Sequence, residues 1–175
     1  MIFALPLATY GPRRTFLLNM TTMPQPGSSS LSPLSRLLES SLPDKLKMGE
    51  YHNLLTQSLL ATNHVQDCAI IEQKNLSVMT ASIGFKLDTE EIQAFWNAFK
   101  QPDIIREYGL FFKNVNYICV RADKDSIYSK YNERGLILVK TGMYIICATY
   151  TKGMYPSVCV EAVEKLGDYF KTKGK

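Results

Sequence analysis

Two histidines and four cysteines are all the imidazole and thiolate ligands in the chain. His52, His64, Cys68, Cys119, Cys147 and Cys159 form no C-x-x-C pair and no zinc spacing, so no metal or other cofactor is expected. Each cysteine stands in an apolar setting (DCAII, YICV, IICAT, SVCVE), which reads as buried free thiols in a reducing compartment. No apolar run approaches the roughly 18 residues that span a bilayer. The opening MIFALPLATYGPRR has no basic stretch ahead of its apolar run, and Pro6 interrupts that run, which makes a poor secretory signal.

Catalytic signatures are missing too. There is no G-x-S-x-G elbow, no phosphate-binding loop and no G-x-G-x-x-G. His64 lies in the polar turn ATNHVQD. Glu90 and Glu91 fall in the first turn of a helix, where the macrodipole accounts for them. Asp123 and Asp125 share the turn ADKDS, where Lys124 and Lys130 break any calcium loop. No residue is expected to be catalytic, and the chain does not read as an enzyme.

Charge excludes another class. Residues 1–47 hold five basic against two acidic residues, and residues 48–175 hold fifteen against fourteen, so the excess lies in the N-terminal part. A nucleic-acid footprint needs a clustered basic face. The later part alternates in sign, and no nucleic-acid partner is expected.

What is present is an apolar content of 46%, enough for a packed core. Residues 1–47, with TTMPQPGSSSLSP at their centre, read as a disordered extension. Residues 48–175 read as one domain opening at MGEYHNLL, with Met48 a candidate alternative start. EYHNLLTQSLLA (50–61) has helical spacing at Tyr51, Leu54, Leu55 and Leu59. QDCAIIE and LSVMTA read as two strands across the turn QKN. In LDTEEIQAFWNAFKQP, Asp88 is an N-cap, Glu91 completes a capping box, and Pro102 marks the end. After Gly109 come about five short strands, LFF, NYICVRA, SIYSKY, LILVK and MYIICATY, with KNVN, NERG and TG as turns. A last helix follows Pro156, apolar at Cys159, Val163, Leu166 and Phe170, and Gly167 weakens it just before Tyr169. Hairpin-length connections imply an antiparallel sheet. Runs such as CAII and YIICA are apolar on both faces, which places helices on both sides.

KTGMYIICATYTKGMYPSVCVEAVEKLGDYF (140–170) closely resembles the C-terminal signature of the profilins, and CAII, SVMTA, EEIQAFWNAF, YICVRAD and GLILVKTG precede it in matching order. The resemblance covers residues 49–175. Its details lie nearest a divergent vertebrate branch of that family linked to sperm formation. It implies an α+β fold: a central antiparallel sheet of about six to seven strands, terminal helices on one face and short helices on the other. It also implies a cytoplasmic, cytoskeleton-associated monomer.

Three surfaces are implied by the same resemblance. Proline-rich ligands would dock on rings of the terminal helices, at positions held here by Tyr51, Leu54, Met79 and Tyr169. Two of these are no longer rings, so proline-rich partners are doubtful. Tyr169 has two readings, a remnant groove shared with Tyr51 or an interhelix packing pair. The actin-facing positions are Lys140, Thr141, Tyr155, Ser157, Val160 and Glu161, where apolar Val160 and acidic Glu161 weaken the expected binding of monomeric actin. Lys171, Lys173 and Lys175 offer a surface for anionic phospholipids, phosphoinositides included. The leading expectation is therefore a peripheral phospholipid-binding module in cytoskeletal or membrane remodelling. The alternative is a regulator of actin polymerisation that binds actin monomers and proline-rich ligands.

Overall fold

From Leu110 onward the connections are too short for crossovers, and the strands they join pair as hairpins. The computed structural model describes residues 44–173. The extension expected over residues 1–47 therefore lies, up to residue 43, outside the described residues. Helix α1 spans Asp44–Ser58, and a single 3-10 turn follows at Leu60–Thr62. Strands β1 (Asp67–Glu72) and β2 (Ser77–Ala81) come next, then α2 (Thr89–Lys100) and α3 (Pro102–Tyr108). Five strands follow: β3 (Leu110–Phe112), β4 (Val115–Ala122), β5 (Ser126–Tyr131), β6 (Arg134–Lys140) and β7 (Tyr144–Tyr150). Helix α4 (Pro156–Lys173) closes the fold.

The seven strands form one antiparallel sheet in the order β2-β1-β7-β6-β5-β4-β3. First and last strands are neighbours, with Asp67 opposite Thr149 and Glu72 opposite Tyr144. That pairing brings α1, which precedes β1, beside α4, which follows β7. Side chains alternate along each strand, and helices pack on both faces of its central strands. Ile137, Val139, Ile146 and Ala148 meet Leu55 of α1, Leu59 just beyond it, and Cys159, Val163, Leu166 and Phe170 of α4. Leu136, Leu138, Ile145 and Cys147 meet Ile92, Phe95 and Phe99 of α2 and Ile105 of α3. The two-faced apolar runs of the sequence are these two cores.

Three local readings need correction. The first helix opens at Asp44, ahead of Met48, and ends at Ser58 instead of running to residue 61. Left-handed Asn63 (φ 59°) caps the 3-10 turn that replaces its end, its N–H bonding to the Leu60 carbonyl. Pro102 does end α2, but it also opens α3, because its fixed φ suits a first helical position. The turn KNVN is narrower than expected. Lys113 and Asn114 alone carry positive φ (48° and 61°), the pattern of a two-residue hairpin turn, and Val115 already belongs to β4. The capping box of α2 stands as read: the Asp88 N–H donates to the Glu91 carboxylate at 3.0 Å.

Gly167 has a packing reason. A Cβ there would lie 2.7 Å from Val139 Cγ1, so the residue that weakens the helix lets α4 approach β6. Cys68, Cys147 and Cys159 are buried, and Cys119 is half-buried. Burial pushes the Cys68 and Cys159 thiols up to about 12, and Cys147 well above the ordinary thiol range.

Candidate binding surfaces of the terminal helices and outer strands

Tyr51 and Leu54 of α1 face Tyr169, Phe170 and Lys173 of α4 across a groove of about 440 Å³, closed at one end by Met143 and Tyr144. Leu54 and Tyr169 also border a second hollow that continues between the helices over Ala162 and Leu166. Four aromatic rings build the first groove. Tyr144 lies 5.1 Å from Phe170 and 5.6 Å, edge-on, from Tyr51, while Tyr51 lies 6.0 Å from Phe170. Tyr169 meets Phe170 edge-on at 5.8 Å and remains 45% exposed. The Lys173 amine sits 5.7 Å over the Tyr169 ring. The Tyr51 and Tyr144 hydroxyls are 2.7 Å apart. Burial, then the bond to Tyr51, pushes the Tyr144 phenol above its ordinary value.

The K-T-G turn of the sequence holds this wall in place. The Thr141 hydroxyl accepts the Tyr144 N–H at 3.0 Å and donates to the Tyr144 carbonyl at 3.1 Å. Gln73 reaches across from the β1–β2 turn and donates to the Thr141 and Tyr144 carbonyls at 2.7 and 3.0 Å. Of the four positions read as a proline site, Tyr51, Leu54 and Tyr169 share the groove. Met79 packs half-buried against the terminal-helix core and does not line it. Tyr144 and Phe170 do line it, although in sequence one belongs to a strand and the other to a core stripe.

The positions read as actin-facing are spread apart. Thr141 is 8% exposed and occupied with the turn. Lys140 holds its amine 5.3 Å over the Phe99 ring. Tyr155 stands at the other end of β7, 65% exposed, its N–H on His64 Nδ1 at 3.2 Å. Ser157 and Glu161 are exposed on α4, Glu161 pairs with Lys165 at 2.6 Å, and Val160 leans on the core. A different exposed surface stands out. Terminal helices α1 and α4 cover β1, β2, β6 and β7 and leave the outer strands open. There Ile118 and Val120 of β4 are 65% and 61% exposed, with Phe111 of β3 at 63%. Glu164 of α4 borders this face, accepting hydrogen bonds from the Ser126 and Tyr128 hydroxyls.

Of the C-terminal lysines, Lys171 lies 3.8 Å from Asp168, and Lys173 is the amine on Tyr169. Lys175 lies outside the described residues. Among the described residues no three His, Cys, Asp or Glu side chains gather as a metal site, and no helix is long and apolar enough to cross a membrane.

Comparison with known proteins matches residues 49–175 to the family described as Profilin. Bovine (Bos taurus) Profilin-4 is 48% identical over 128 residues, covering 73% of this chain and 99% of its own. Mouse (Mus musculus) Profilin-4 is 46% identical over the same length and shares. The chain belongs to the profilin family. Among solved structures, Acanthamoeba castellanii profilin IA superposes with a TM-score of 0.66 at 31% identity, covering 71% of this chain and 99% of that one. The sheet with terminal helices on one face and short helices on the other is thus the profilin fold, α+β as the sequence suggested. Among the described residues two of its surfaces stand out: the aromatic groove between α1 and α4, and the exposed face of β3 to β5.

Proposed function

We propose that this profilin regulates the actin cytoskeleton, binding monomeric actin on the open face of β3 to β5 and extended proline-rich segments in the groove between α1 and α4. The ring cluster of Tyr51, Tyr144, Tyr169 and Phe170, which lines the groove and leaves Tyr169 exposed at its rim, carries this reading. A polyproline II helix has regular apolar ridges, is preformed, and docks on flat rings with little loss of entropy. Leu54 supplies no ring and Met79 lies outside the groove, so the site is weaker than one with its full set of aromatic anchors. Two lost anchors at about 1–2 kcal/mol each correspond to an affinity roughly 30- to 1,000-fold lower. Calorimetry with an oligoproline peptide, beside a profilin that carries aromatic residues at these places, tests this. The expected result is saturable but weak binding. No heat even at millimolar peptide sinks the proline half of the reading, and failure to retain monomeric actin sinks the other half.

A second reading is peripheral binding to anionic phospholipids through Lys171, Lys173 and Lys175, favoured by basic residues clustered at one helix end. It ranks second because Lys171 has Asp168 beside it and Lys173 has Tyr169. Such lysines also suit the helix dipole. Each basic residue at an anionic surface contributes about 1 kcal/mol, so replacing all three with Gln is expected to lower partitioning by at most roughly a hundredfold. The loss should shrink as salt rises. Liposome sedimentation at two salt concentrations checks it, and a triple variant that sediments like the parent removes the lipid site from this helix end.

A further inference from the structure

We infer that a cavity of about 460 Å³ at one end of the sheet is a separate peptide site, taking a short extended segment with a basic group at Asp67, an aromatic side chain in the middle and a carboxylate at Arg134. Asp67, Phe85, Phe112, Tyr117, Arg134 and Thr149 line it. Phe85, Phe112 and Tyr117 belong to the core under α2 and α3, so the cavity opens on the sheet face away from α1 and α4. It shares no lining residue with the groove between the terminal helices.

Opposite charges stand at its two ends. The Ser82 hydroxyl donates to the Asp67 carboxylate at 3.3 Å, and the Ser82 carbonyl accepts the Phe85 N–H at 3.1 Å, which puts the carboxylate at the Phe85 end. The guanidinium stands at the Tyr117 end: burial pushes the Tyr117 phenol up, and the nearby Arg134 charge acts against that rise. Phe112 lies between, 6.4 Å edge-on from Phe85 and 6.1 Å from Tyr117. Among the described residues neither Asp67 nor Arg134 has an ion-pair partner. The third charge at the cavity, Lys113, is neutralised by Glu91 at 2.8 Å.

A buried donor points to the same ligand. Tyr117 is 6% exposed, and its hydroxyl makes no hydrogen bond among the described residues. Tyrosines this buried ordinarily find a partner. Ser129 alone holds a sealed, unpartnered hydroxyl among the described residues, so the Tyr117 hydroxyl is open, and the cavity is where it opens. A planar guanidinium beside a phenol O–H suits a carboxylate. Spacing sets the length. Strand β7 runs between β1 and β6, so Asp67 and Arg134 stand two strand spacings, roughly 10 Å, apart across the sheet. At roughly 3.3–3.6 Å per residue, an extended tripeptide covers that distance and a single amino acid does not. The three rings favour an aromatic side chain at its centre.

The test titrates the full chain with end-blocked Lys-Phe-Glu, Lys-Phe-Gln and Gln-Phe-Glu and follows amide NMR spectra. Lys-Phe-Glu is expected to bind about three- to tenfold more tightly than either neutralised peptide and to perturb the amides of Tyr117, Arg134 and Thr149. Arg134→Gln should erase the preference for Glu over Gln and keep the preference for Lys. Asp67→Asn, which retains an acceptor for Ser82, should do the reverse. Damage to the fold would not separate the two preferences, and the remaining amides report the fold of each variant. Free-ended Gly-Phe-Gly carries the same two charges on its termini. Tighter binding than Lys-Phe-Glu assigns the site to free peptides, and weaker binding assigns it to an internal segment of a partner; either outcome supports the charge pattern. Equal affinity for the three blocked peptides overturns the inference. So does a parent spectrum that no peptide perturbs, or a folded Arg134→Gln variant that still prefers Glu.

Discussion

Gly167→Leu is expected to lower unfolding stability by about 3 kcal/mol or more and to abolish binding in the terminal-helix groove. The opposing effects have different sizes. Glycine inside a helix costs up to about 1 kcal/mol relative to better helix formers, so helix propensity alone favours the substitution. Packing opposes it, because the first added carbon already falls 2.7 Å from Val139 Cγ1 and 3.9 Å from Ile146 Cδ1. Val139 and Ile146 are fully buried on adjacent strands β6 and β7 and cannot swing away. Leucine adds three further carbons to the same interface, and α4 must lift from the sheet to admit them. Lifting α4 moves Tyr169 and Phe170 away from Tyr51, so groove and stability should fail together. Urea unfolding of Gly167→Leu, Val139→Ala and the double variant forms a cycle that isolates this contact. The double variant should be more stable than the sum of the single losses allows. A leucine variant with the parental midpoint would mean that α4 does not rest on Val139.

That glycine shows where sequence reasoning stops. Its weakening of the helix is legible from the chain, because propensity is local. The reason for it is not, since Val139 stands 28 residues earlier and only the antiparallel stacking of β6 and β7 brings it under α4. The same divide separates the elements from the site. The β5–β6 and β6–β7 hairpins, the capping box of Asp88 and Glu91 and the two-faced strands depend on neighbours a few residues away, and they were readable. Pro102 in sequence marks only a stop, because proline ends one helix and begins another with the same fixed φ. The groove was half legible. Resemblance pointed to Tyr51 and Tyr169, but Tyr144 lies 93 residues from Tyr51, and nothing in its own strand distinguishes a groove phenol from a core one. Ile118 and Val120 looked like ordinary strand residues in NYICVRA. Their exposure follows from which strands the two terminal helices happen to cover, a property of the assembled sheet.

Placing aspartates at both Ile118 and Val120 is expected to abolish retention of monomeric actin while leaving the domain folded. In the free protein both positions face water, at 65% and 61% exposure, so the new carboxylates remain solvated. The folding cost should be limited to the poorer strand propensity of aspartate, about 1 kcal/mol or less per site. The bound state differs. A partner that covers β3 to β5 strips water from these positions, and an unpaired carboxylate buried there costs several kcal/mol, which is a hundredfold or more in affinity for each. The effect is thus specific to a complex that desolvates this face. Ile83 is the matched control. It is 94% exposed, but it follows β2, at the opposite edge of the sheet from β3. Ile83→Asp should leave actin retention unchanged. Oligoproline binding should also survive the double aspartate change, because the groove lies between α1 and α4 and shares no lining residue with β4. Fluorescence anisotropy with labelled monomeric actin measures both variants against the parent. If the double aspartate variant binds as the parent does, the open face of β3 to β5 is not the actin surface. If Ile83→Asp alone disrupts binding, that surface lies at the β2 edge.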